Sequence, residues 1–214
     1  MSVFPLLNSI FVGLVVLTLF TWKIWMLGLL IFISVVSISI YLYDTLIGVY
    51  HYESAFWLFV FSEIMVFGSL LFCCLYFDTF YYINLSSSLE IPFVGCFVLL
   101  GSSITVTAFH HLLNWYYSSV FLAVTVILGL SFVVLQICEM DDILVNLFDT
   151  SFHASSLCTV GLHFSHVLLG IIGLISLLLV GSDKFGEYRC TVLTWYWHFV
   201  DYIWLLVYTI VYVC

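Results

Sequence analysis

Long apolar runs with almost no charged residues dominate this 214-residue sequence and limit the folds that it can adopt. A helix needs about 20 consecutive apolar residues to cross the hydrocarbon core of a bilayer, and the chain offers several runs of that length. Only 7% of its residues are charged and 65% are hydrophobic, a balance that no soluble domain requires. The sequence therefore predicts an all-α, polytopic membrane protein.

Polar residues divide these runs into seven predicted transmembrane helices, which form a single domain over residues 1–214. The apolar run at residues 4–43 would be about 60 Å long as one helix, so we expect it to fold back near residues 21–23. Connections at residues 44–53, 139–149 and 181–189 are predicted as loops, and the first of them divides the domain into sub-bundles 1–43 and 54–214. The predicted spans are about Leu6–Trp22, Ile24–Tyr43, Ala55–Phe77, Ile91–Leu113, Tyr116–Cys138, Phe152–Val180 and Cys190–Cys214.

The few basic residues indicate how the chain crosses the membrane. Lys184 and Arg189 fall on the same side as the N-terminus, whereas Lys23 falls on the opposite side. Because loops that carry Lys and Arg stay inside, the N-terminal side is predicted to be the inner one. The sequence is rich in Phe, Leu, Val, Tyr, Cys and Trp and poor in Lys, Pro and Ala. This bias suits a T-rich coding strand and indicates a product of a mitochondrial genome.

A carboxyl group within the third predicted span is the outstanding candidate for function. Glu63 lies about two turns inside that span, after a wholly apolar stretch at residues 57–61. An unpaired charge there is expensive, so the group is expected to be neutral or hydrogen-bonded. It either handles protons or lines a cleft, or it holds two helices together. No Lys or Arg lies inside any predicted span, so its partner is expected to be a histidine.

The sixth predicted span supplies two histidines on one helix face. His163 and His166 are three residues apart, and Gly170 and Gly173 continue the same stripe. Paired imidazoles can ligate a metal or haem, but small residues on the stripe favour close helix packing instead. We therefore predict a hydrogen bond from Glu63 to one of these histidines, with His166 favoured.

No metal site is predicted elsewhere in the sequence. His110 and His111 are adjacent, so in a helix they point about 100° apart and cannot share one ligand direction. None of the seven cysteines forms a C-x-x-C pair, which argues against a zinc site or a disulfide framework.

The last predicted span contains a second polar stripe, at residues 195–204. In a helix, Trp197, Asp201 and Trp204 lie on one face, and His198 is one turn from Asp201. A carboxylate and an imidazole at membrane depth are costly unless they face protein or water. This stripe is therefore predicted to face the inside of a bundle, where His198 and Asp201 could form an internal pair. A catalytic role for that pair is not favoured.

Six sequence motifs in a fixed order resemble subunit III of the haem-copper cytochrome c oxidases. The decapeptide WYWHFVDYIW at residues 195–204 matches the family's W-Y-W-H-F-V-D-x-x-W without a break. The other five motifs are similar to family motifs: SEIMVF at 62–67, LEIP at 89–92, FHH at 109–111, LQICE at 135–139 and GLHFSHVLLG at 161–170. The resemblance covers residues 44–214 approximately.

The resemblance implies a fold and a function. The first two helices would form a V against a bundle of the other five, with phospholipids in the cleft, and Glu63 would be the family's membrane-embedded glutamate. This chain would be a non-catalytic core subunit that carries no cofactor or metal, with haem a and copper in partner subunits I and II. It would support assembly, stability and proton uptake of the oxygen-reducing complex, alongside accessory subunits. Cytochrome c would be only an indirect partner, and no nucleic acid is expected.

The resemblance also implies a multi-pass protein of the mitochondrial inner membrane, with its N-terminus in the matrix and its C-terminus facing the intermembrane space. The chain departs from the family at residues 44–53, where the connection is short and has no Lys or Arg. Basic residues there would grip lipid phosphates. Their absence leaves His51, Lys184 and Arg189 as the lipid-binding candidates.

Three other functions remain open at this point. The first is subunit III of a quinol oxidase, a close relative. The second is an independent proton or ion transporter that uses Glu63 and Asp201. The third is a haem-binding membrane enzyme that uses the histidines.

Overall fold

The computed structural model describes residues 10–11, 13–15, 17–18, 21, 24–47, 53–78, 85–113, 115, 117–143 and 145–213. Helices account for nearly all of these residues, and the described ranges contain no strand. The helices are α1 (Ile24–Ile47), α2 (Glu53–Phe77), α3 (Ile91–His111), α4 (Ser118–Asp142), α5 (Ser151–Val180), the short α6 (Ser182–Phe185) and α7 (Glu187–Val207), which a π-helical segment continues over Tyr208–Val213.

Five helical segments in the described ranges are long and apolar enough to cross a membrane. They are Ser54–Phe77, Ile91–His111, Ser118–Asp142, Ser151–Val180 and Glu187–Val213, and α1 adds the shorter apolar stretch Gly28–Ile40. The all-helical, membrane-spanning class predicted from the apolar runs is thus confirmed. The predicted first span is described only in part, and its break at residues 22 and 23 lies outside the described residues. The count of seven spans stays a prediction.

The chain divides into two compact units, Met1–Tyr52 and Glu53–Cys214. In the second unit α3 packs along α4 and α7, while α5 contacts α2, α4 and α7. Burial of large side chains from all of these helices forms one core, in which Trp197 and Trp204 of α7 are the bulkiest members. The predicted V of the first two spans against this bundle stays a prediction.

Local sequence signals explain several helix ends. Pro92 occupies the first turn of α3, where its missing N–H costs nothing. The hydroxyl of Thr150 caps α5 by accepting a hydrogen bond from the backbone N–H of His153 at 3.1 Å. Gly181 and Gly186 end α5 and α6 with φ angles of 84° and 89°, a region that glycine adopts without strain.

Two predicted loops begin later than the sequence indicated. α1 continues to Ile47 rather than ending at Tyr43, and α4 continues to Asp142 rather than ending at Cys138. The acidic residues after Cys138 favoured a loop because charges are rarely buried. Glu139 is nevertheless only 2% exposed, since its carboxylate accepts hydrogen bonds from Ser86 at 3.1 Å and from Gln136 at 2.7 Å.

Close helix packing centres on Trp197, which is fully buried between two glycines. A Cβ atom on Gly129 of α4 would lie 2.9 Å from Cη2 of this indole, and a Cβ atom on Gly170 of α5 would lie 2.9 Å from its Cε3 and Cζ3. On the same α5 stripe, a Cβ atom on Gly173 would lie 2.7 Å from Leu193. The packing role predicted for the glycines of this stripe is therefore present in the fold.

The Gly170→Ala substitution is expected to destabilise the second unit by about 1–2 kcal/mol, because the added methyl group has to displace a rigid indole. Gly161→Ala on the same helix is the matched control, since a Cβ atom there meets no atom within 4 Å. That variant is expected to be neutral or to stabilise the helix by up to about 1 kcal/mol. Thermal stability in detergent distinguishes the two variants, and equal losses would contradict the packing account.

Candidate functional site

Glu63 of α2 and His166 of α5 form a pair within the bundle. The distance from His166 Nε2 to Glu63 Oε2 is 3.0 Å, and the two side chains are 10% and 20% exposed, respectively. The predicted hydrogen bond between Glu63 and the favoured histidine is therefore present. α2 and α5 pack against each other, which brings these residues together across 103 positions of sequence.

The other ring nitrogen of His166 restricts the protonation states of this pair. Nδ1 lies 2.8 Å from the carbonyl oxygen of Leu162, which can only accept, so Nδ1 carries a proton. A neutral ring then accepts at Nε2 from a protonated Glu63, whereas a charged ring donates from Nε2 to the carboxylate. Both forms place one proton between Nε2 and Oε2. The pair can hold a proton and can shift it over a short distance.

Aromatic rings surround the Glu63–His166 pair. The ring of Phe67 lies edge-on to His166 with centroids 5.3 Å apart, and the ring of Tyr196 stacks on His166 at 6.5 Å. Tyr196 also donates its hydroxyl to the backbone carbonyl of His166 at 3.2 Å. α7 therefore helps to orient the histidine that α5 presents to α2.

His163, the other candidate partner, does not pair with Glu63. Its side chain is fully buried and donates from Nε2 to the carbonyl oxygen of Val200 at 3.2 Å. Its ring centroid lies 4.9 Å from that of Trp204 and 5.7 Å from that of Phe132. His163 therefore ties α5 to α7 within an aromatic core.

The polar stripe of α7 faces the bundle as predicted. Trp197, Asp201 and Trp204 are all at most 2% exposed, and Trp197 donates from Nε1 to Ser102 Oγ of α3 at 3.0 Å. The sequence allowed an internal pair of His198 with Asp201, and this interpretation is wrong. His198 instead contacts two hydroxyl groups of α3, and neither oxygen of Asp201 has a hydrogen-bond partner in the described part of the chain.

At the end of α3 and the start of α7, an open cavity of about 420 Å³ is lined by His110, His111, Leu112, Leu113, Trp115 and Glu187. His110 Nε2 lies 3.1 Å from the hydroxyl oxygen of Thr191. The hydroxyl hydrogen of Thr191 goes to the carbonyl of Glu187 at 2.9 Å, so His110 is the donor. Among the described residues, no group of three or more His, Cys, Asp or Glu side chains is placed to hold a metal ion.

The lipid-binding candidates lie on one connection, except for His51, which is outside the described residues. Lys184 is exposed on α6, and Arg189 is partly buried in the first turn of α7.

The site around Glu139 was not singled out from the sequence. Its signal was the spacing of Gln136 and Glu139, three residues apart on one helix face.

Comparisons with known proteins agree with the motifs. A sequence model of the family described as cytochrome c oxidase subunit III matches residues 6–214. The relative from Rhipicephalus sanguineus is 36% identical over 132 residues, which cover 58% of this chain and 51% of that protein. The relative from Rattus norvegicus is 33% identical over 134 residues, covering 58% and 50%. The relative from Bacillus sp. (strain PS3) is 32% identical over 177 residues, covering 73% and 83%.

All three relatives are named cytochrome c oxidase subunit 3. The match spans about half the length of the first two. Because the family model covers nearly the whole sequence, and the bundle of apolar helices agrees with it, this chain belongs to the cytochrome c oxidase subunit III family.

Proposed function

We propose that this chain is the non-catalytic subunit III of a respiratory cytochrome c oxidase. Its role is to support the assembly, stability and proton uptake of the complex that reduces oxygen. The observation that carries the proposal is the family match over residues 6–214. The Glu63–His166 pair supports the part that concerns protons, because it places one proton between Nε2 and Oε2 at a point where three helices meet.

The surface of the second unit supports a role inside a membrane complex. α2 exposes large apolar side chains over most of its length, among them Leu58, Phe61 and Met65. α4 does the same with Ile127 and Val134. Such surfaces suit lipid tails or the helices of neighbouring subunits.

The chemistry of oxygen reduction belongs, in this proposal, to partner subunits I and II, which hold haem a and copper. This chain contributes no redox centre, and cytochrome c meets it only indirectly. We propose that it lies in the mitochondrial inner membrane, with its N-terminus in the matrix and its C-terminus towards the intermembrane space.

Phospholipids are proposed as bound partners. Lys184 lies on α6 and Arg189 lies in the first turn of α7, so the two are close in sequence. Both are at the end of the bundle, where a lipid headgroup would lie. Phosphate oxygens accept charge-assisted hydrogen bonds from both side-chain types. His51 is proposed as a third contact.

Co-purification tests the proposed function. An affinity tag on this chain is expected to bring down a complex that shows the absorption of haem a, retains phospholipid and oxidises reduced cytochrome c. The same tag on an unrelated multi-pass protein of the same membrane is the control. Recovery of this chain as a monodisperse, haem-free, native-like monomer would overturn the proposal.

The other candidate functions give different outcomes in the same preparation. A complex with haem that oxidises quinol and not cytochrome c would identify a quinol oxidase subunit. Proton or ion flux through liposomes that contain only this chain would identify a transporter. A Soret band from the isolated chain would identify a haem-binding protein.

A further inference from the structure

A line of polar side chains runs along the contact between α3 and α7. Polar side chains at membrane depth face the inside of a bundle, where each one has to be hydrogen-bonded. We call this line the α3–α7 seam. Its members are Ser103, Thr107 and His110 of α3 and Thr191, His198 and Asp201 of α7.

Asp201 is the inner end of the seam. It is 2% exposed, and neither of its oxygens has a hydrogen-bond partner among the described residues. The hydroxyl of Ser103 adjoins this carboxyl without the geometry of a full hydrogen bond. A buried carboxyl with no cation beside it favours the protonated form, which has a proton to donate.

The hydrogen-bond directions in the middle of the seam follow from one fixed donor. Thr107 donates its hydroxyl hydrogen to the backbone carbonyl of Ser103 at 2.8 Å. It therefore accepts from His198 Nε2, at 3.2 Å. In the neutral ring the opposite nitrogen, Nδ1, is then an acceptor and receives the hydroxyl hydrogen of Ser103 at 2.8 Å. The oxygen of Ser103 is left free to accept from Asp201.

The outer end of the seam reaches the cavity beside His110. His110 lies about one helical turn beyond Thr107 on α3, and Thr191 lies about two turns before His198 on α7. Asp201 and Glu187, which lines the cavity, are separated by about 21 Å along α7, a large part of the hydrocarbon thickness. Water that enters the cavity therefore comes within one turn of the Thr107–His198 pair.

We propose that the α3–α7 seam carries protons between the cavity at His110 and the carboxyl of Asp201. In the outward direction, Asp201 gives its proton to Ser103 Oγ while Ser103 gives its own to His198 Nδ1, which leaves a carboxylate and an imidazolium. The imidazolium then releases the proton that it already holds on Nε2, on the side of Thr107, which leaves a neutral ring protonated at Nδ1. The proton then leaves past Thr107 to water and His110. The reverse sequence returns a proton to Asp201.

The titratable groups of the seam are few. His198 of α7 and His110 and His111 of α3 are the imidazoles on its two helices, and Glu187 lines the cavity at its outer end. Among the described residues no Lys or Arg side chain makes a hydrogen bond to Asp201. After the transfer, the negative charge lies on this carboxyl and the positive charge lies on His198.

Hydrogen–deuterium exchange of the Asp201 carboxyl tests the proposal. The purified complex in which this chain works is transferred from H2O to D2O, and the infrared carbonyl band of protonated carboxyls is followed with time. The band that disappears in Asp201→Asn is assigned to Asp201. In the unmodified complex this band is expected to shift on deuteration, and in His198→Phe its exchange is expected to be slower by about 100-fold.

Two further variants keep the test decisive. Ser103→Ala removes one hydroxyl and should slow the exchange as His198→Phe does, even if the larger change impairs assembly. Thr105→Val is the matched control, because Thr105 lies on α3 but bonds to Thr125 of α4, outside the seam. Absence of an Asp201 carbonyl band, or exchange rates equal in all variants, would overturn the proposal. Haem content is measured on each sample, so a failure of the proposed oxidase role is seen separately.

Discussion

Trp197→Ala is expected to lower the free energy of unfolding of the second unit by about 3–5 kcal/mol, the largest effect of any single substitution considered. The indole is fully buried and fills the space between α4 and α5 against the backbone of Gly129 and Gly170. Its removal leaves a cavity that the glycines cannot fill. It also removes the indole N–H that donates to the hydroxyl oxygen of Ser102. The hydroxyl hydrogen of Ser102 already goes to the carbonyl oxygen of Leu99.

Trp195→Ala is the matched control for this prediction. Trp195 belongs to the same decapeptide but is 40% exposed, with its ring against Phe56 and Trp57 of α2. The loss there is expected to be much smaller, because less of the side chain leaves an apolar contact. The measurement is the temperature at which each tagged variant leaves the solubilised complex. Equal temperatures for the two variants would show that Trp197 does not hold the bundle together.

Hydrophobic runs predicted most of the fold because lipid imposes a simple rule. A helix that satisfies its own backbone is the natural solution for an apolar run of about 20 residues. The spans from Ala55 to Phe77 and from Phe152 to Val180 accordingly differ from α2 and α5 by at most two residues. The end of α4 was harder to predict, because a charged residue marks a helix end only when it lacks a buried partner. Glu139 has two such partners. Ser86 is distant in sequence, and Gln136 lies one turn away on the same helix.

The candidate site was predictable to the same degree. The pair of Glu63 with His166 followed from elimination, since the spans contain no Lys or Arg and a buried carboxyl needs a partner. The sequence allowed either His163 or His166 as the partner, because both lie on one helix face. The fold separates them, since His163 contacts the backbone of α7 and His166 contacts α2. The partners of His198 were missed because Ser103 and Thr107 are ordinary hydroxyl residues in an apolar helix.

Glu63→Ala is expected to destabilise the attachment of α2 to α5 by about 1–3 kcal/mol, because it leaves Nε2 of a mostly buried imidazole without its partner. Glu63→Gln keeps the shape of the side chain, and its amide can donate to a neutral Nε2. That variant should assemble and retain haem in the complex. Ser62→Ala is the control, since this neighbouring hydroxyl is exposed and bonds only to the carbonyl of Phe59 within the described residues.

A double-mutant cycle with His166→Leu isolates the pair from other effects of the substitutions. Glu63→Ala and His166→Leu each break the same hydrogen bond, so the double variant should lose less stability than the sum of the two single losses. The measurement is again the temperature at which the chain leaves the complex. Additive losses would mean that the contact between Glu63 and His166 contributes nothing to the attachment. A Glu63→Gln complex without haem would contradict the proposal that this chain holds no redox centre.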